Sequence, residues 1–282
     1  MKKYCFGVDV GGTTVKIGLF DCEGNILEKW EIPTRTQDNG SHILPDIAKA
    51  LSDKLAEKKI DKEELTGVGI AVPGPVDKDG TVYRAVNLNW DTFSVRDTLA
   101  DLCGLPVRVG NDANVAALGE MWKGGGQGYH SLVLVTLGTG VGGGVIINGE
   151  ILSGSTGAGG EIGHIHIQDN EEDACGCGNH GCLEQYASER ALFEELSDIK
   201  HMPIHADLFE QLYRDEDPDA RRLVDNFIDY MSIGINNLLN TFNPDIIILN
   251  SVLHRCRPSL CEDITDSLHN TMKQYCHLIP ST

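Results

Sequence analysis

Three groups of residues in this chain combine side-chain types and spacings that suit chemistry. The most specific is His164 with Cys175, Cys177 and Cys182, spaced H-x10-C-x-C-x4-C. One imidazole and three thiols supply the four ligands that tetrahedral zinc takes, and a closed set points to a structural ion that does not activate water. Gly176, Gly178 and Gly181 let the chain fold tightly around it, and His166 and His180 are alternative nitrogen donors. The second group is a pair of glycine turns, Asp9-Val10-Gly11-Gly12-Thr13-Thr14 and Gly138-Thr139-Gly140. Glycine brings backbone N–H groups close to phosphate oxygens and threonine adds hydroxyl donors, so two such turns suit a triphosphate. Asp9 suits Mg²⁺ held through water, or simply caps the turn. The third group is Asn111-Asp112. Asp112 fits a general base that orients an alcohol and accepts its proton during phosphoryl transfer; its plainer role is N-cap of the helix that follows. If one nitrogen of His164 binds the ion, the other can donate to a hydroxyl, and Glu161 and Glu184 flank the same pocket with carboxylates suited to polyols.

The elements that must position these groups are legible as periodicities. Tyr4 to Asp9, Val15 to Phe20 and Ile26 to Ile32 alternate as strands around the first glycine turn. Ser41 is the expected N-cap of a helix whose face carries Ile43, Ile47, Leu51 and Leu55. Gly67 to Val72 is a buried strand stopped by Pro73-Gly74-Pro75, since proline cannot continue a ladder. A helix from Ser94 to Cys103 leads to the strand Val107 to Gly110, so Asn111-Asp112 falls between that strand and a helix over Ala113 to Trp122. A helix N-terminus there adds free N–H groups and a positive dipole end. The theme repeats: Leu132 to Leu137, a turn at 138–140, then Val141 to Ile147. Leu183 to Asn243 is mostly helical and Ile246 to Leu249 is the final buried strand, while Asp169 to Asp173 and Asp215 to Asp219 are solvated acidic loops.

Both glycine turns join strand to strand, so neither the P-loop nor the Rossmann context is met. The chain has 282 residues, 41% of them hydrophobic, enough to bury a sizeable core in two lobes. Its 42 acidic and 23 basic residues give a formal charge of −19, which repels nucleic-acid phosphates and anionic membranes, so neither is an expected partner. No signal-peptide pattern and no membrane-length apolar run is present, so a cytoplasmic location is expected, with the nine cysteines as thiols or metal ligands.

Taken together, these segments resemble the ROK (repressor, open reading frame, kinase) family of bacterial sugar kinases, in particular its Gram-positive-type glucokinases. The resemblance rests on Asp9 to Lys16, Gly69 to Asp77, Val86 to Trp90, Asn111 to Asn114, Ala117 to Glu120, Leu137 to Gly144, Gly157 to His164 and the cysteine cluster. It implies an actin-like, hexokinase-type α/β fold with a duplicated ribonuclease-H-like motif, a smaller lobe over 1–115, a larger lobe over 116–282 carrying the zinc loop 164–182, and a central cleft. It further implies ATP and Mg²⁺ bound by Asp9, Gly11, Gly12, Thr13, Thr14 and Lys16 with Gly138, Thr139 and Gly140. Asp112 would be the base for a sugar 6-hydroxyl, with Asn87, Asn111, Glu161, His164 and Glu184 holding the substrate. Glucose leads as substrate, ahead of N-acetylmannosamine, N-acetylglucosamine, fructose, allose and β-glucosides, and a homodimer is expected.

The first sheet begins at Tyr4, which leaves no room for the DNA-binding segment of the family's repressors, so an enzyme or a catalytically weak sugar sensor is expected. Two departures stand out. Asn250-Ser251-Val252 replaces a glycine run that in the family packs against adenosine, and the chain ends at Thr282, where a further strand segment and closing helix are expected.

Overall fold

The computed structural model describes residues 2–268 and 276–281, which fall into two compact units, one within 1–115 with 153–159 and the other 116–152 with the described residues after 159. In the first, β1 (Tyr4–Val10), β2 (Thr14–Asp21) and β3 (Ile26–Pro33) form an antiparallel meander. Next come α1 (Ile43–Lys58), β4 (Leu65–Val72), a small ribbon of β5 (Thr81–Val82) and β6 (Phe93–Ser94), α2 (Val95–Cys103), β7 (Val107–Asn111) and the start of α3 (Asp112–Lys123). The sheet order is β3-β2-β1-β4-β7, with β4 and β7 added in parallel. Alternation does the sorting: Phe6, Val8 and Val10 of β1 and Val15, Ile17 and Leu19 of β2 are buried against Ile43, Ile47 and Leu51 of α1. Gly7 and Gly18 face each other across β1 and β2, and the Phe20 ring covers both; a Cβ on Gly18 would sit 2.6 Å from that ring.

The second unit repeats the plan with different lengths. β8 (Leu132–Leu137), β9 (Val141–Ile147) and β10 (Glu150–Ile151) form the meander. α4 (Leu183–Ala187), α5 (Glu189–Lys200), α6 (Ala206–Arg214), α7 (Pro218–Phe242), β11 (Ile246–Asn250), α8 (Leu260–Ser267) and β12 (His277–Pro280) follow. The order β10-β9-β8-β11-β12, again with two parallel additions, matches the first sheet position for position. This is the duplicated ribonuclease-H-like motif of the actin-like ATPase fold. β8 and β11 are almost wholly apolar, Thr136 and the terminal Asn250 excepted, because both faces are covered. Val133, Val135 and Ile247 join the core under α7, while Leu132, Leu134 and Ile248 pack with Ala117 of α3. No described helix is long and apolar enough to cross a membrane.

Three expectations from the sequence are corrected. Ser41 does not cap α1: its N–H closes a turn on the Asp38 carbonyl and its backbone is already helical (φ −60°, ψ −21°), so His42 takes the N-cap position without a side-chain bond. The acidic loops are not simply solvated. Asp217 accepts from the N–H groups of Asp219 and Ala220 as N-cap of α7, with Pro218 inside the first turn, and Lys200 pairs with it at 2.7 Å; in the other loop Glu171 accepts from the Tyr186 hydroxyl. Finally, Ile246 to Leu249 is not the last strand, since β12 pairs with it in parallel through His277 to Pro280.

α7 is the central support of the second unit, and Phe227 within it is 1% exposed. Phe227→Ala is expected to destabilise the chain by about 3–5 kcal/mol, through lost transfer free energy and the cavity left behind, as read from urea unfolding.

Candidate active site and metal centre

The first glycine turn has its carbonyls tied down. Thr34 donates from Oγ1 to the Gly11 carbonyl at 2.7 Å and from its N–H to the Thr13 carbonyl at 2.9 Å, and the Gly11 N–H goes to Thr14 O at 3.0 Å. The N–H groups of Gly12 and Thr13 carry no hydrogen bond among the described residues, so they remain free donors. Asn87 lies beside this turn: a Cβ on Gly12 would be 3.6 Å from its carbonyl oxygen. Asp9 and Lys16 are register partners across β1 and β2, both exposed.

At the same carboxyl end of this sheet, two strands along from β1, β7 delivers Asn111 and α3 begins with Asp112. Asn111 is fixed at both ends, donating from Nδ2 to the Gly74 carbonyl at 3.2 Å and accepting the Asn114 N–H on Oδ1 at 3.1 Å. Asn111 is thus the side chain that caps α3, the reverse of the capping role the sequence suggests for Asp112. Asp112 accepts its neighbour's N–H, from Ala113 at 2.8 Å. It is reachable from solvent, yet surrounding protein removes part of its hydration and the Asp9 charge opposes a second anion, so its carboxyl is held above the usual 3.8; the Ala113 N–H works in the opposite direction.

In the second unit, His164 ends a short 3-10 turn (Ile162–His164) and Cys182 is the N-cap of α4. One donor atom from each of His164, Cys175, Cys177 and Cys182 falls within a span of 4.8 Å. The Cys177–Cys182 sulfur separation and that from Cys175 Sγ to His164 Nδ1 are both 3.7 Å. Bonds of about 2.3 Å to sulfur and about 2.0 Å to nitrogen make tetrahedral edges of roughly 3.5–3.8 Å, so the donor set fits a zinc-sized cation. The folding of the loop depends on Gly181, at φ +73°, where a Cβ would lie 1.9 Å from the Gln168 carbonyl. Burial pushes the Cys182 thiol up to about 12, whereas backbone donation from Asn179 pulls Cys177 down. His166 and His180 are engaged elsewhere. The ring of His166 meets the His180 carbonyl and Asp169, and that of His180 meets the Glu171 carbonyl, so the alternative donors stand outside the cluster.

α4 carries Glu184 from the cluster to the second glycine turn. Glu184 accepts the Val141 N–H on Oε2 at 3.1 Å, and its Oε1 lies 3.7 Å from Cys175 Sγ. A Cβ at Gly140 would lie 2.1 Å from this carboxylate, so any larger residue there would push Glu184 from its place. From α5, Arg190 donates its N–H to the Gly138 carbonyl at 3.1 Å and its Nε to the Thr139 carbonyl at 2.8 Å. The N–H groups of Thr139 and Gly140 stay unbonded among the described residues. Glu161 heads the 3-10 turn, exposed, and lines a cavity of about 450 Å³ with Ile165, Asn237 and Phe242.

Arg190 and Thr34 are functional supports that the sequence reading missed. Their contacts span 51 and 23 residues, and nothing in their local sequence signals them.

Comparison with known proteins places the chain in a family. The ROK family profile matches residues 5–280. The glucokinase of Halalkalibacterium halodurans is 40% identical over 277 residues, covering 93% of this chain and 84% of that protein. The xylose repressor of Bacillus subtilis is 31% identical over 285 residues, covering 99% of this chain and 73% of that protein. Among solved structures, a ROK family glucokinase from Streptomyces griseus in complex with glucose and AMPPNP superposes with a TM-score of 0.78 at 30% identity, over 99% of this chain and 94% of that one. With its duplicated sheet, its glycine turns and its His-Cys cluster, the chain belongs to the ROK family.

Proposed function

We propose that this chain is an ATP-dependent hexose kinase that transfers the γ-phosphoryl group of ATP to the 6-hydroxyl of glucose. The observation that carries the reading is Asp112, a solvent-reachable carboxylate at the start of α3 whose affinity for protons is raised by partial burial and by Asp9. A base of this kind hydrogen-bonds the attacking hydroxyl and takes its proton as the O–P bond forms. The free N–H groups of Gly12, Thr13, Thr139 and Gly140 are the donors for ATP phosphate oxygens, with the Thr14 hydroxyl and Lys16 nearby on β2. Asp9 is the residue suited to meet Mg²⁺, whose charge offsets that of the phosphates. Asn87, Asn111, Glu161, His164 and Glu184 are assigned to the remaining sugar hydroxyls.

Zinc at His164, Cys175, Cys177 and Cys182 is assigned a structural role, fixing the loop that leads into α4 and Glu184. The likeness to proteins named glucokinase supports glucose over N-acetylmannosamine, N-acetylglucosamine, fructose, allose or β-glucosides, and the family resemblance supports a cytoplasmic homodimer. A sugar-binding regulator is the second reading, supported by the likeness to the xylose repressor; a base at Asp112 favours the enzyme.

Asp112→Asn is expected to lower kcat by about 10²–10⁴-fold while sugar affinity stays within a few-fold, and near-normal turnover would remove Asp112 as the base. Because the ionised form is active, kcat/KM should fall as pH drops through the raised pKa. The acid limb of the profile therefore lies above the usual 3.8, and its absence in the wild type would contradict the assignment. Elemental analysis of the wild-type chain should find about one zinc ion per chain, and Cys177→Ser should abolish it and make the segment 160–184 sensitive to proteolysis.

A further inference from the structure

Glu189 is a buried carboxylate to which the proposed reaction assigns nothing. It opens α5, next to the N-cap Ser188, and is only 6% exposed. Its Oε1 accepts two hydrogen bonds from the segment that follows β11, one from the Ser251 hydroxyl at 2.9 Å and one from the Val252 N–H at 2.7 Å. Ser251 Oγ in turn accepts the Leu253 N–H at 3.1 Å, so the turn leaving β11 is built around this carboxylate. Among the described residues, Arg255 is the cation that favours its ionised form. Burying a carboxylate with neutral donors and one partial counter-charge is costly, and a residue that merely needed to start α5 would not require it.

The neighbour of Glu189 explains what the arrangement holds. Arg190 binds the Gly138 and Thr139 carbonyls, so two successive residues of α5 grip two separate backbone segments. Those segments leave the carboxyl ends of adjacent parallel strands: Leu249 and Asn250 of β11 are register partners of Val135 and Thr136 of β8. In open parallel sheets, ligands lie outside such carboxyl ends. A nucleotide whose phosphates meet the 138–140 turn therefore runs its nucleoside toward the 250–252 segment, and the offset between the two is set by Glu189 and Arg190.

We propose that Glu189 is a positioning residue for the nucleoside half of ATP, holding residues 251 and 252 at a fixed distance from the phosphate-binding turn. The proposal rests on the reading of 138–140 as a phosphate site. It also accounts for Asn250-Ser251-Val252: Ser251 supplies the hydroxyl that a glycine lacks, and Glu189 supplies its acceptor.

The test compares Glu189→Ala, Glu189→Gln and Ser251→Ala with wild type by calorimetric titration of Mg²⁺-ATP and of inorganic tripolyphosphate, with KM for ATP and for sugar measured alongside. Glu189→Ala should weaken ATP binding about tenfold and raise KM for ATP in step, with tripolyphosphate affinity, sugar KM and kcat at saturating ATP within twofold. Glu189→Gln, whose amide oxygen still accepts both bonds, should stay within threefold of wild type. Ser251→Ala loses one of the two bonds and should fall between them, and it carries the test if Glu189→Ala does not fold. Equal losses for ATP and tripolyphosphate would reveal general damage and overturn the proposal, as would unchanged ATP binding in Glu189→Ala and Ser251→Ala, or a Glu189→Gln defect as large as that of alanine. Wild-type chain that binds neither ATP nor tripolyphosphate would overturn the phosphate-site reading itself, and this proposal with it.

Discussion

A backbone N–H can serve a ligand only if folding has not already used it, and that constraint governs both glycine turns. In a strand-to-strand turn the neighbouring ladders take up most donors and acceptors, so the few left over must be sorted by side chains from elsewhere. Around 138–140 the sorting is done by Arg190, which occupies the Gly138 and Thr139 carbonyls, and by Glu184, which occupies the Val141 N–H. Around 11–14 Thr34 does the same for the Gly11 and Thr13 carbonyls. What remains are pairs of free N–H groups held in place by bonds on the opposite side of the turn.

This requirement reaches back to the metal centre. Residues 165–182 contain no helix or long strand and few buried apolar side chains, so chain entropy works against their order. Four ligands converging on one ion would supply the missing free energy and fix where α4 starts. α4 is then anchored against α7, where Gly234 admits Leu183 so closely that a Cβ would come within 2.7 Å of it. With α4 fixed on both sides, Glu184 has one place to put its carboxylate, against Gly140. The His-Cys cluster, the glycine turn and the long helix are therefore positionally linked through α4.

Where chemistry depends on spacing along the chain, the sequence was readable. The cluster of His164, Cys175, Cys177 and Cys182, the two glycine turns and the Asn111-Asp112 junction all lie within short stretches, and the β-prone runs on either side place the first turn between strands. Reading failed where a residue's role depends on a distant partner. Asn111 and Asp112 both suit a cap, and only the Gly74 carbonyl, 37 residues away, shows why Asn111 takes it. Asp217 looked like one of several surface acids until Lys200 and α7 were in place around it. β12 is too short and too weakly patterned to be recognised without β11 beside it. The bond of Glu184 to the Val141 N–H, in addition to its proposed place at the sugar, depends on the docking of α4.

The proposed reaction is phosphoryl transfer from ATP to a sugar hydroxyl, with Asp112 as the base. Its most direct test is to incubate the purified chain with Mg²⁺-ATP and glucose and to identify the products by phosphorus NMR, with 6-deoxyglucose in parallel. The account predicts ADP and glucose 6-phosphate in equal amounts from glucose and neither product from 6-deoxyglucose. Glucose binding without phosphorylated sugar would contradict it and would leave a sugar-responsive regulator as the better description of the chain.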